Sequence, residues 1–446
     1  MQVKTRNHNG RANKQDIFPI RDPLYGFVEL TRKERELLDS GVLQRLTRIK
    51  QLGHTYIVYP SAVHSRFEHS LGATYVAGRM CEQLKLAKKD TKIIRIGALL
   101  HDIGHGPFSH VFEQVIEKVA GERFSHARIT SLILENDKEV KRILGELYED
   151  VSEILQFQKE NVKCEILSGP LDADRLDYLR RDSYHTGVAY GIFDFERVLR
   201  NLCLINDGER DYVGIHEKGR DAVESYRMAR YLMHTQVYAH HTRLVAEDMF
   251  LRALGFAFDE AVLNRDALNP AKKPRSFLSH YLTLDDHYLS YLILTKSKGK
   301  AGRMIRDLLD RRLLKRAYVI PISTEAIPDY TQRMKFVNMK QEQLDKLEQN
   351  ICSKAGLGLD DLILHLQSTE IKLYENLEEP SLAEEKPLLI KHYTGVIKHI
   401  SEESPFSASR IPKQLYVFCS AQHALKVAKI AEEIVGVKNH YSPRQK

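Results

Sequence analysis

Cysteine is sparse. The five residues Cys81, Cys164, Cys203, Cys352 and Cys419 are scattered over 446 positions, with no CxxC among them. That spacing argues against a disulfide framework or a thiolate zinc finger and fits reduced, structural thiols. No apolar run approaches the ~20 residues that a membrane-spanning helix needs. The opening stretch, Met1 to Asp16, is polar and has no apolar signal core. A cytoplasmic chain with a flexible start and no membrane partner is therefore expected. Internal repeats and low-complexity tracts are also missing. Neither sign of charge dominates: 67 basic against 60 acidic residues leave a net charge of +7. This modest excess suits nucleotides or nucleic acid without requiring either.

What is present reads as a soluble globular protein too long for one ordinary core. Hydrophobic residues make up 43% and mean hydropathy is -0.39. Alternation through Ile20–Leu30 predicts a hairpin, and Thr31 with Glu34 predicts a capping box. Helical periodicity then runs to Gly53, again over about 65–86, and from about Thr91 onward. Further helices are expected around 124–136, 138–149, 151–158 and 172–184, a hairpin over 203–215, and one long helix from Arg220 to Phe258. Strand-like runs at 319–322, 371–374 and 414–418 change the character of the chain. The reading is a mainly α fold: a flexible 1–16, an all-helical core domain over 17–318, and a smaller α+β region over 319–446.

The densest chemistry lies where the apolar run Ile93–Leu100 ends in His101-Asp102-Ile103-Gly104-His105-Gly106-Pro107-Phe108-Ser109-His110. Gly106-Pro107 cannot continue a helix, so titratable groups gather at the end of an apolar rod. Three imidazoles and a carboxylate suit a metal ion and its proton-transfer neighbours. Upstream, Arg66-Phe67-Glu68-His69-Ser70 opens a helix and offers another imidazole. Downstream, Asp174, Tyr178 and Asp182 are spaced four apart and share one helical stripe. Arg230, His234, Tyr238 and His241 form a second polar stripe, which either faces solvent or lines a cavity.

Taken together, RFEHS, HDIGHGPFSH and DADRLDYLRRD resemble the HD-domain metal phosphohydrolases, whose ligand pattern is H…HD…D. More narrowly, residues 17–320 are similar to the deoxynucleoside triphosphate triphosphohydrolases, including the animal SAM-and-HD-domain enzyme. No SAM-type segment is read, so the likeness is nearer to stand-alone bacterial and archaeal members. The resemblance implies His69, His101, Asp102 and Asp174 as ligands of Mn²⁺, Fe²⁺, Co²⁺, Ni²⁺ or Zn²⁺, with Mg²⁺ accompanying the substrate triphosphate. It implies an activated water attacking the α-phosphorus of a dNTP to release deoxynucleoside and inorganic triphosphate. His110 would protonate the leaving oxygen, and His105 and His126 would contact phosphate and water. Arg66, Arg175 and Arg230 would hold the triphosphate; family members often carry Lys at the position of Arg175. Gln51, Leu52, Tyr178 and Asp182 would surround the sugar, and His234 and Tyr238 would take the sugar and base side. Asp39 and Gln44 match positions that recognise a guanine-type activator between the subunits of a homotetramer. Phe18 and Thr47 stand where the animal enzyme has cations. Two alternatives remain: an HD phosphohydrolase acting on a nucleoside monophosphate, cyclic nucleotide or guanosine tetraphosphate, and a nucleic-acid-binding or nucleotide-sensing protein.

Overall fold

In the computed structural model, the described residues are 17–156, 161–206, 208, 210–272, 274–367, 371–372, 388–402, 404 and 410–443. The expected flexible segment 1–16 lies outside them, as do residues 157–158 of one expected helix, the hairpin-turn residue Asp207, and 373–374 of one expected strand.

The chain opens with the antiparallel hairpin β1 (Ile17–Asp22) and β2 (Gly26–Thr31), turned at Gly26 with φ +76°. Thr31 and Glu34 form the anticipated capping box on α1 (Arg32–Leu38). Periodicity predicts one helix to Gly53, but the structure breaks it. Ser40 is extended, its hydroxyl donates back to the Leu37 carbonyl at 2.6 Å, and α2 (Gly41–Arg45) starts afresh. Short 3-10 turns at Leu46–Arg48 and Gly53–Ile57 follow. Ser65 and Glu68 then form a second capping box on α3 (Arg66–Gln83), which packs against α4 (Lys88–Leu100) through the fully buried Val76, Met80, Ile93, Ile96 and Leu100.

Helices α5 (His110–Ala120), α6 (His126–Asn136), α7 (Lys138–Leu144), α8 (Tyr148–Leu155) and α9 (Val162–Ser168) follow, α8 and α9 packing on α4 and α6 on α8. Helix α10 (Ala173–Thr186) is capped by the Asp172 side chain and ends at Gly187 in the left-handed region. It lies close against α3, where a Cβ on Gly72 would sit 2.0 Å from Asp177 Oδ1. Only glycine permits that approach.

After α11 (Phe195–Arg200) and the hairpin β3 (Leu202–Asn206)–β4 (Asp211–His216), the expected single helix from Arg220 is in fact three pieces: α12 (Arg220–Met233), a π turn at His234–Tyr238, and α13 (His241–Asp259). The Ala239 amide reaches five residues back to the His234 carbonyl at 2.8 Å, and His240 is extended and caps α13. The wider turn re-aims the second polar stripe, a common role for such turns.

Helices α14 (Pro274–Tyr281), α15 (Asp286–Lys296) and α16 (Lys300–Leu309) complete the helical body. Beyond it come β5 (Lys315–Pro321), α17 (Tyr330–Val337), α18 (Gln341–Ala355), β6 (Leu362–Leu366), β7 (Ile371–Lys372), β8 (Leu389–Lys391), β9 (Ile397–His399), β10 (Arg410–Ile411), β11 (Gln414–Cys419) and α19 (Ala424–Val435). Strand β11 is central in an antiparallel β5-β11-β6 sheet with α18 and α19 against it. This unit has its own core, which includes Tyr318, Ile320, Ile351, Leu415 and Val417. The fold is mainly α with a smaller α+β part towards the C-terminus, as expected. The chain also returns to the helical body: β8 runs parallel to β4, giving a four-stranded β3-β4-β8-β9 sheet.

Candidate metal centre

The first turn of α3, the residue after α4 and the first turn of α10 bring His69, His101 and Asp174 to one point. His69 Nε2 lies 3.0 Å and His101 Nε2 3.8 Å from Asp174 Oδ1. One donor atom from each residue lies within 4.8 Å of the others. Both Nε2 atoms are buried, and neither has a hydrogen-bond partner. Buried polar atoms are seldom left so. Two imidazole lone pairs and a carboxylate oxygen aimed at a common point fit a divalent cation.

Both imidazoles are oriented from behind. His69 Nδ1 pairs with Asp177 Oδ2 at 2.8 Å, and His101 Nδ1 with the Ala98 carbonyl at 2.7 Å. With Nδ1 donating, each Nε2 is left as an acceptor able to bind metal. Asp177 is itself held by Arg181 at 2.9 and 3.0 Å and by the Tyr25 hydroxyl at 2.8 Å, and Arg181 also meets Asp22 at 3.0 Å. Burial alone would lower the His69 pKa, but Asp174 and Asp177 outweigh it and push it up to about 10. The same imidazoles hold Asp174 well below the carboxylate range against the effect of burial. The carboxylates thus demand positive charge, which a cation supplies without protons on nitrogen. Asp177 went unassigned in the sequence; its signal is the place three residues after Asp174 and four before Arg181.

Asp102 borders the cluster. Its Oδ1 is 3.2 Å from His101 Nε2, and its Oδ2 is 3.8 Å from His69 Nε2. The same Oδ2 accepts from Arg66 Nη1 at 2.5 Å. Burial opposes ionisation, yet Arg66 and the flanking His101 and His105 keep Asp102 well below its ordinary value.

The next segment is strained. Phe108 and Ser109 have φ of +54° and +60°, costly for residues with a side chain. Surrounding groups over-determine the turn: the Phe108 amide donates to Asp286 Oδ1 at 2.6 Å, and Ser109 Oγ donates to the Lys50 carbonyl at 2.9 Å and accepts from Arg66 Nε at 2.7 Å. Such strain is typical of functional sites. It starts α5 at His110, a helix the sequence reading missed because Gly106-Pro107 signalled only a break.

Helix α5 also supplies Glu113, which the sequence reading did not single out. His105, His110 and His126 all turn Nδ1 towards Glu113 Oε1, at 3.1, 2.8 and 3.1 Å. The His105 and His126 rings stack at 3.9 Å. Three nitrogens facing one oxygen form a proton-holding set: despite burial, the imidazoles keep Glu113 far below the usual carboxylate range. Burial, Arg66 and His126 together bring His105 down to about 3, so it is neutral near pH 7. His110, 68% exposed, is the member open to a ligand. Gly104 permits the packing, since a Cβ there would lie 2.1 Å from the His126 carbonyl.

On the other side of His69, Tyr178 stands edge-on to its ring at 6.4 Å and to Tyr238 at 6.3 Å. The Tyr238 hydroxyl donates to Asp182 Oδ2 at 2.6 Å, and His234 lies edge-on to Tyr238 at 5.0 Å. Gln51 presents a buried Oε1 with no partner, and Leu52 beside it leads into the Gly53–Ile57 turn. Arg66 and Arg175 do not reach out: Arg66 is buried on Asp102, and Arg175 bonds to Asp172 and the Gly169 carbonyl. The charge of Arg230 acts on Tyr178 and Asp172. Asp39 is ion-paired to Arg35 at 2.8 Å, and the Gln44 amide donates to the Leu38 carbonyl at 2.9 Å. Both belong to the α1–α2 break and not to the metal constellation. Among the described residues, no helix is long and apolar enough to cross a membrane.

Residues 66–181 match the HD domain model, and residues 193–446 match the HD associated region. An uncharacterised protein of Methanocaldococcus jannaschii is 33% identical over 408 residues, covering 91% of this chain and 79% of that protein. The deoxynucleoside triphosphate triphosphohydrolase SAMHD1 homolog of Dictyostelium discoideum is 28% identical over 72% of this chain, which spans 64% of its length. Among solved structures, a phosphohydrolase from Bacteroides thetaiotaomicron superposes with a TM-score of 0.72 at 27% identity, over 90% of this chain and 99% of that one.

Proposed function

Because the chain belongs to the HD-domain family of phosphohydrolases, we propose that it is a dNTP triphosphohydrolase, converting dNTPs to deoxynucleoside and inorganic triphosphate. One observation carries the reading: two orphaned imidazole Nε2 atoms converge with Asp174 beside a three-histidine set on Glu113. His69, His101, Asp102 and Asp174 would hold a divalent cation (Mn²⁺, Fe²⁺, Co²⁺, Ni²⁺ or Zn²⁺). Such an ion polarises a phosphoryl oxygen and lowers the pKa of water. His110, anchored by Glu113 through Nδ1, has Nε2 free to protonate the 5′ oxygen as its bond to phosphorus breaks. His105 and His126 offer their remaining nitrogens to phosphate and water. Arg230 meets the triphosphate, with Arg66 and Arg175 joining if their carboxylates release them and Mg²⁺ accompanying it. Tyr178, packed where a 2′-hydroxyl would sit, favours deoxyribose, with Gln51, Leu52, Asp182, His234 and Tyr238 around sugar and base.

The internal pairing of Arg66 and Arg175 favours one other reading, an HD phosphohydrolase whose nucleotide carries fewer phosphates. Incubating the metal-loaded protein with each dNTP and rNTP, singly and mixed, and with each deoxynucleoside monophosphate, and resolving triphosphate, pyrophosphate and phosphate decides between them. Triphosphate from dNTPs and little from rNTPs is expected. Equal turnover of ATP and dATP would remove the role given to Tyr178. No triphosphate, but orthophosphate from deoxynucleoside monophosphates, would establish the second reading.

A further inference from the structure

His64 precedes α3 and was not part of any expected ligand set. It is fully enclosed: its side chain is 0% exposed, and its ring lies flat on His185 at 4.4 Å and 13°. Two bonds leave it in different directions. Its backbone carbonyl accepts from the Gln51 backbone N–H at 2.9 Å, beside the isolated bridge between Lys50 and Ser65. Its Nε2 donates to Asp182 Oδ1 at 2.8 Å, while the other Asp182 oxygen takes the Tyr238 hydroxyl at 2.6 Å. Asp182 is 1% exposed and needs these donors if it is to stay in one orientation. A carboxylate has about four acceptor positions, so roughly two remain after both bonds. The side-chain Oε1 of Gln51, whose backbone is tied to His64, is also buried and has no hydrogen-bond partner. A sugar hydroxyl donates one hydrogen bond and accepts others, so it can give its proton to one of these acceptors and accept from the Gln51 side-chain N–H.

We propose that His64 is a positioning residue for sugar recognition: its carbonyl and its imidazole together fix Gln51 relative to Asp182, so that the pair reads the 3′-hydroxyl of the nucleotide. This inference rests on the triphosphohydrolase reading above. Among the described residues, the His64 side chain bonds to Asp182 and stacks on His185, and it bonds to none of His69, His101, Asp102 and Asp174. Its loss therefore weakens the response to one hydroxyl and leaves the chemistry at phosphorus intact.

The test compares parent, H64A and H64Q, each metal-loaded, on a dNTP and on the matching 2′,3′-dideoxynucleotide, with bound metal quantified in parallel. H64Q keeps an amide N–H near the place of the imidazole Nε2. In H64A, kcat/KM for the dNTP is expected to fall roughly ten- to a hundred-fold, the scale of a mispositioned binding group. The dideoxy substrate should change little and metal content should hold, so the parent's preference for a 3′-hydroxyl collapses. H64Q should restore most of that preference. Equal losses on both substrates in both variants, or no loss in H64A, would overturn the role of His64 and leave the triphosphohydrolase reading standing. Release of no triphosphate by the parent from either substrate would overturn that reading, and this inference with it.

Discussion

Asp174 stands 72 positions beyond Asp102 in the chain yet within 3.0 Å of His69. Its side chain is 37% exposed, so it adds little to packing. In Asp174→Asn the shape is kept and a formal charge is lost. Metal retained after dialysis against a chelator should fall at least about ten-fold, with activity lost and the fold kept. Full metal content in that variant would dismiss Asp174 as a ligand. Asp177 behaves differently because it is buried between His69 and Arg181. Asp177→Asn disturbs the His69 tautomer, with metal affinity reduced roughly 10- to 100-fold. It also leaves Arg181, 0% exposed, with Asp22 as its one acidic partner among the described residues, at a cost of about 3 kcal/mol read by denaturant unfolding of the metal-free protein. A variant that lost stability but bound metal normally would show that Asp177 serves the fold alone. Asp174 was legible as a carboxylate on a helical stripe, whereas Asp177, three residues further along the same helix, gains its meaning only when α3 lies against α10.

At the scale of elements, two short irregular segments set the geometry. One is the positive-φ turn at Phe108–Ser109, and the other is the Gly53–Ile57 turn that supports it. His54 in that turn stacks on Phe108 at 4.3 Å and packs on Phe250 at 5.1 Å. Burial first, then Lys50 and Arg243, bring its pKa down from 6.5 to about 3. Between those values the unfolded chain carries a proton that the folded protein refuses. Stability therefore falls as the solution is acidified through that window, by up to about 1.4 kcal/mol per pH unit from this group. His54→Phe keeps the aromatic stack and removes the titration. Unfolding midpoints measured between pH 4 and 7 should decline less steeply than in the parent, and parallel slopes would refute the assignment. Neither segment was readable as an element. The one appeared only as a Gly-Pro break, and the other fell in the gap after the presumed helix was read as ending at Gly53.

For the whole molecule, the two cores are tied by α13. Arg252 Nη2 meets both oxygens of Glu348 on α18 at 2.7 Å, and Glu348 also accepts the Leu364 amide at 2.8 Å. Assembly is proposed from the resemblance and from the surface near α1. Asp39 and Gln44 are placed there, but Phe18 and Thr47 bring no charge, and the nearby Arg48 is engaged by Asp285 at 2.7 Å. With fewer free cations for an activator's phosphates, a homotetramer that forms without strict need of GTP is expected. A dNTP or guanine nucleotide then acts as a stimulant at most. Sedimentation with and without GTP and dGTP, beside turnover of a second dNTP, checks this. A monomer or dimer that becomes an active tetramer only with GTP would defeat it.

Most helix positions, the first capping box, the hairpins and the sheet-bearing C-terminal part were legible because they depend on neighbours within a few residues: Thr31 with Glu34, alternation in Ile20–Leu30. The histidine and aspartate types at the centre were legible for the same reason, since ligand chemistry belongs to the side chain. What the sequence left open depends on groups far apart in the chain meeting in a dry interior. Asp177 behind His69, Glu113 beneath three imidazoles, Arg66 turned onto Asp102 and the π turn that carries Tyr238 to Asp182 are all of this kind. Once helices close over them, buried polar atoms must find partners or pay full desolvation. Tertiary packing, by choosing those partners, decided which of the charged residues point at a ligand and which hold one another.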